Sequence, residues 1–258
     1  MVSEREQERK TYRLCQLGFG LLAGVLTFVC LLELVSIPGF FIDRRFLAGL
    51  FNSPLVRWSD TGIVFGSLTG FYLLVGRWQT TSWQRRTGLL VVMGIIDAVL
   101  WTVQHGEELG LRMGDVGHVW FRSNLGHALG WAELALLASV ASEVLVHLGV
   151  TQASEAGRAT RSLAASGATI WMLFFFLSTD RRAGWPLIPL PPRQETVLLE
   201  IGTNLIYLVI LIQVTALTIA ATRRCGLTMK EIDQEDREND PLRSESDKDY
   251  ALDPRDRF

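Results

Sequence analysis

The chain has 258 residues, with 25 Lys and Arg against 27 Asp and Glu, and a formal net charge of −2 excludes a globally basic nucleic-acid binder. Hydrophobic residues make up 48%, and a mean hydropathy of +0.23 averages two unlike parts. Residues 223–258 hold 8 of the basic and 11 of the acidic residues, while the long uncharged apolar blocks before them exclude a soluble globular domain.

The first thirteen residues carry Arg5, Arg9, Lys10 and Arg13 and read as a short basic tail. Six apolar segments follow, at 14–37, 61–76, 87–104, 124–148, 162–178 and 196–221, and none contains Lys or Arg. A helix needs about 20 such residues to cross a hydrocarbon core of roughly 30 Å, so each is expected to span. The first is too long for the apolar core of a signal peptide and contains Glu33, so it reads as a retained anchor. With an even number of spans both termini share a side. Eleven basic residues in the terminal flanks and the 77–86 and 149–161 loops, against eight on the other side, place that side in the cytoplasm.

Between the spans, FFIDRRFLAGLF (40–51) surrounds Asp43-Arg44-Arg45 with apolar residues and predicts a short helix in the outer interface. The Pro-rich WPLIPLPPR (185–193) is expected to be an extended loop. Trp58, Trp78, Trp83, Trp120 and Trp185 fall at span ends, as in an interfacial aromatic belt. Gly62, Gly66 and Gly70 form a double G-x-x-x-G, and Gly20/Gly24 and Gly126/Gly130 single ones; such faces let helices approach closely, within one chain or between two copies. Cys15 and Cys30 are about 22 Å apart on one helix and cannot bridge, whereas Cys225, at the cytoplasmic end of the last span, is open to acylation. From Lys230 onward the chain is too polar to build a core, so a disordered tail is expected.

Five acids, Glu33, Asp97, Glu133, Glu143 and Glu200, lie inside these spans without a basic residue. A carboxylate at mid-bilayer costs about 2.5–3.5 kcal/mol, and such groups face the bundle interior or a water-filled cavity. Asp97 and Glu133 sit near mid-helix and are the costly pair. Glu143 has His147 at i+4, which predicts a local pair. Asp97 shares a face with Trp101 and with Gln104 or His105, Glu200 shares one with Asn204, and His127 opens the fourth span. An outward-opening polar pocket of Asp97, His105, His127, Glu133, Glu200 and Asn204 is the candidate site. The alternative is that separate helices each satisfy one acid by hydrogen bonds.

The 105–127 loop also holds Glu107, Glu108, Asp115 and His118, donors that suit a divalent metal but match no metal-binding spacing. Haem would need histidines facing each other at one depth, which only His105 and His127 offer. Glu107-Glu108-Leu109-Gly110-Leu111-Arg112 spells E-E-x-x-x-R, which resembles the first motif of the CAAX-processing and bacteriocin-immunity family of intramembrane proteases. The resemblance would imply paired glutamates activating water beside His127. Phe121 is not four residues before His127, however, and no histidine follows His147, so the later motifs are missing.

The expected architecture is therefore all-α: a polytopic helix bundle of about six transmembrane helices (14–221) in the cell membrane, between a cytoplasmic N-terminal tail (1–13) and a disordered charged cytoplasmic tail (222–258). Three functions compete. A non-catalytic subunit, assembly factor or scaffold fits the lack of any complete motif and is favoured. A proton- or cation-coupled transporter fits the uncompensated Asp97 and Glu133, although the two halves share no spacing of acids or glycines. A membrane enzyme or redox protein would use the 105–127 cluster. No resident cofactor is expected. The partners implied are the lipid bilayer and a membrane protein or second copy at the glycine faces, with no nucleic acid.

Overall fold

A computed structural model describes residues 2–42, 54–76, 80–105, 119–179 and 193–238. Their regular structure is entirely helical: α1 Val2–Ile42, α2 Pro54–Leu74, α3 Thr81–His105, α4 Val119–His147, α5 Ala153–Thr179 and α6 Arg193–Glu238. Each apolar segment of the sequence lies within one of these helices, apart from the last residues of the second and fourth. Among the described residues, four stretches are long and apolar enough to cross a membrane: Arg5–Val35, Thr81–Val103, Leu125–His147 and Gly202–Asp236. The chain is thus a helical bundle with the makings of a membrane protein. The expected interfacial helix at 40–51 and the Pro-rich loop at 185–193 fall almost wholly outside the described residues.

Local chemistry sets the turns at the end of the bundle that carries both termini. After α2, Gly76 adopts φ +68°, a left-handed conformation that costs glycine nothing. Thr80 then caps α3, its Oγ1 accepting from the Trp83 backbone N–H at 3.4 Å. After α4, Gly149 takes φ +86°. Its N–H donates to the Val146 carbonyl at 3.0 Å and that of Val150 to Leu145 at 2.8 Å, the double bond of a Schellman turn. Two long-range contacts reinforce these ends: the Trp83 indole donates to the Leu74 carbonyl at 3.0 Å, and the Arg224 guanidinium to that of Leu148 at 3.2 Å.

Helix contacts close a ring. α1 packs on α2 and α6, α2 on α3, α3 on α4, and α4 on α6, while α5 lies outside the ring against α4 and α6. Phe19, Leu22, Leu74, Trp83, Leu90, Leu137, Val140, Ile210, Leu211 and Val214 fill the buried core. The outer stripe of α3 (Leu89, Val92, Ile95, Ile96, Val99) is exposed, as suits a lipid-facing surface. Of the expected glycine contacts, Gly66 and Gly70 meet α1: a Cβ on Gly70 would stand 2.6 Å from Leu22 Cγ and one on Gly66 2.9 Å from Val25. Their partner on α1 is Gly18, where a Cβ would stand 3.1 Å from the Gly70 carbonyl. Gly24, Gly62 and Gly126 have nothing within 4 Å among the described residues. The tightest approaches are on α5, where a Cβ on Gly157 would collide with Ser142 and one on Gly167 with the Trp131 ring.

Several expectations need correction. Residues 2–13 are no separate tail but the first turns of α1, and of the tail expected to be disordered 222–238 are helical, while 239–258 lie outside the described residues. The composition argument missed that these two polar stretches support each other. Arg5 pairs with Asp236 at 2.6 Å, and Arg9 with Asp233 at 3.1 Å and with Asp236. Tyr12 and Cys225 are buried beneath, with Ile232 packed alongside. Enclosure of Cys225 leaves its thiol closed to acylation. Trp83 is a core residue at 1% exposure, not part of an interfacial belt, whereas Trp58 is exposed.

Candidate functional site

The acids of the spans separate into those with a cationic partner and those without. Glu143 finds its partner across helices: Arg86 of α3 donates to Glu143 Oε2 at 2.9 Å, with Thr80 Oγ1 at 3.5 Å from Oε1. An inter-helix ion pair thus holds Glu143, a partner that the expected contact with His147 within α4 did not include. The sequence hid it because Arg86 falls one residue before the apolar segment of α3, while the helix itself begins at Thr81.

Asp97 and Glu133 stand differently. Asp97 of α3 and Glu133 of α4 lie within electrostatic reach of each other, and neither makes an ion pair among the described residues. Glu133 as a residue is half-buried, but its Oε1 is fully enclosed and has no hydrogen-bond partner among the described residues. An enclosed carboxylate oxygen without a donor forgoes about 1–3 kcal/mol.

The remaining wall of this centre was not foreseen. Tyr207 of α6 lies within electrostatic reach of Asp97 and Glu133, and of Glu33 and Cys30 of α1. Trp131 of α4 leans on the Tyr207 ring with centroids 5.3 Å apart. Two turns further along α6, Thr215 Oγ1 lies 3.7 Å from Cys30 Sγ of α1. Phe65 of α2 meets Trp101 edge-on at 6.0 Å, one turn beyond Asp97 on α3. The signal for Tyr207 was present: it follows Asn204 by three residues and Glu200 by seven, on the stripe already singled out for polarity.

Of the other candidates, only Asn204 and His127 have described side chains. Asn204 is half-buried one turn before Tyr207. The side chains of His105 and Glu200 lie outside the described residues, as do Glu107, Glu108, Asp115 and His118. His127 is exposed and stacks on Trp171 of α5, centroids 4.6 Å apart, which puts it on the α5 side of α4. Among the described residues no three His, Cys, Asp or Glu side chains gather closely enough to hold a metal ion. What the centre offers is two acids within electrostatic reach of each other and of a phenol. No family model, curated protein or solved structure matches the chain.

Proposed function

We propose that this chain is a six-span protein of the cell membrane, both termini cytoplasmic, whose helix ring binds and passes a proton or monovalent cation at Asp97 and Glu133. The observation that carries the reading is the enclosed, donor-less Oε1 of Glu133 beside a second acid, with no basic residue paired to either among the described residues. A carboxylate so placed is costly to keep, and intramembrane acids of this kind mark ion pathways. Tyr207 supplies a hydroxyl that hydrogen-bonds an incoming or departing proton carrier. The four strongly apolar helices support membrane residence. The spans added here are α2, and α5 beyond Arg161, each with an exposed apolar flank.

Infrared difference spectra of the protein in liposomes, taken between two pH values, test the site. A buried carboxyl band that titrates in the wild type and is lost in both Glu133→Gln and Asp97→Asn is expected. Identical spectra in wild type and variants overturn the assignment. Proton flux into dye-loaded vesicles under an imposed pH gradient then tests passage, and equal flux in all three proteins removes the transport reading.

A second reading, a non-catalytic subunit or scaffold joined to another membrane protein or a second copy, is favoured by one observation. Gly24, Gly62 and Gly126 leave bare backbone with nothing packed over it among the described residues. It predicts an oligomer or hetero-complex in mild detergent that Gly62→Leu dissociates, and a monomer in both forms counts against it.

A further inference from the structure

At the end of the bundle that carries both termini, α3, α4 and α5 line an open-mouthed cavity of about 310 Å³ that plays no part in the acid centre. Two facing stripes build it. From α4 come Ser139, Ser142, Glu143 and Val146, spaced i, i+3, i+4, i+7, and from α5 come Ser154, Gly157, Arg158 and Arg161 with the same spacing. Arg86 of α3 closes the third side. The helices come this close because Gly157 has no side chain to meet Ser142.

The charges do not balance. Three guanidinium groups face one carboxylate, and that carboxylate, Glu143, is already held by Arg86 at 2.9 Å. Among the described residues neither Arg158 nor Arg161 makes an ion pair. Two exposed, unpaired planar cations sit one turn apart on one face, beside serine hydroxyls, while the acid of the first turn of α5, Glu155, does not line the cavity. Guanidinium pairs and hydroxyls match the oxygens of a tetrahedral phosphate better than those of a lone carboxylate. We infer that this cavity binds a phosphate-bearing anion, held by Arg158 and Arg161 with Ser154 at the rim. Two sources share that chemistry: the headgroup of an anionic phospholipid, reached from the interface, and free phosphate from the aqueous side.

The test uses the full chain in nanodiscs of phosphatidylcholine, with and without phosphatidylglycerol, and with and without inorganic phosphate. Stabilisation against heat and retained ligand in native mass spectra are read out. Stabilisation by phosphatidylglycerol alone identifies the headgroup, and stabilisation by inorganic phosphate in plain phosphatidylcholine identifies the free anion; either supports the inference. The double variant Arg158→Gln/Arg161→Gln should weaken the effective ligand at least about tenfold, as expected for lost charge-assisted bonds. Arg13→Gln/Arg223→Gln, which removes the same charge elsewhere, should leave it unchanged. If the first double variant does not fold, Ser154→Asp keeps both arginines, places a carboxylate at the rim in a helix first turn that tolerates one, and should cause the same loss. No response of the wild type to either ligand overturns the inference, as does an equal response in the cavity variants and the Arg13/Arg223 control. Because the acid centre is not involved, failure here leaves the proton or cation reading standing, and the reverse holds.

Discussion

Charge is handled in opposite ways at the two levels of this bundle. Near the termini every acid named above has a partner from another helix: Glu143 has Arg86, while Asp233 and Asp236 have Arg9 and Arg5. Asp97 and Glu133, within electrostatic reach of each other and of Tyr207, have no cationic partner among the described residues. Paired charges at a partly exposed end contribute little and cost little to keep. Unpaired ones within the bundle cost stability, and they persist where something other than stability holds them. The first set joins neighbouring helices, and the second is the site proposed above for a proton or monovalent cation.

The sharpest way to break that contrast is to remove the interior charge and keep the shape. Glu133→Met should abolish the titrating carboxyl band and, at the same time, raise the thermal midpoint in detergent by the equivalent of about 1–3 kcal/mol, because an orphaned polar atom is replaced by an apolar one. A lower midpoint would show that Glu133 is held by bonds that stabilise the fold, and would dissolve the difference between the two levels. Next comes a change that leaves every charge in place. Gly167→Ala sets a methyl against the Trp131 ring, which leans on Tyr207. Overpacking of this kind costs about 1–3 kcal/mol. Both stability and the carboxyl signal should fall, and an unshifted signal would mean that the Trp131–Tyr207 wall does not shape the site.

Arg86→Gln asks whether a paired acid can be made to behave like an interior one. Both side chains of the pair are about one-third exposed (33% and 30%), so the loss should be only about 1 kcal/mol. A cycle with Glu143→Gln should return a coupling of that size. A coupling near zero would reduce the Arg86–Glu143 contact to coincidence, and with it the claim that α3 is fastened to α4 by charge.

The sequence discloses the apolar half of this arrangement well, because a long uncharged run has few alternatives to a buried or lipid-facing helix. Asp97 and Glu133 were visible for the same reason, as acids standing in apolar runs. Arg86 with Glu143 was not visible, since the partners are 57 residues apart and Arg86 precedes its apolar segment. Tyr207 was overlooked because a tyrosine among Leu, Ile and Val reads as packing until its neighbours are known. In the sequence Arg158 and Arg161 mark only orientation, because their lack of an ion-pair partner is a property of the folded surroundings. The polar ends of α1 and α6 misled most: each alone has too little apolar surface to hold a helix, and only side by side do Tyr12, Cys225 and Ile232 become a shared strip.

That last pairing gives the smallest expected effect and the cleanest limit to the contrast. Asp233→Asn/Asp236→Asn removes the acids that meet Arg5 and Arg9. The strip beneath is untouched, so α1 and α6 should remain paired, with no loss of helix by circular dichroism and a slight fall of the thermal midpoint. Exposed pairs are screened within about 10 Å at 0.1 M salt, so raising the salt should bring wild type and variant together. The decisive outcome is proteolysis. If the extension becomes susceptible to cleavage in the variant at low salt, and the wild type becomes so at high salt, charge rather than the Tyr12–Cys225–Ile232 strip holds it. The terminal level would then depend on its charges as strictly as the interior does, though through pairing instead of through its absence.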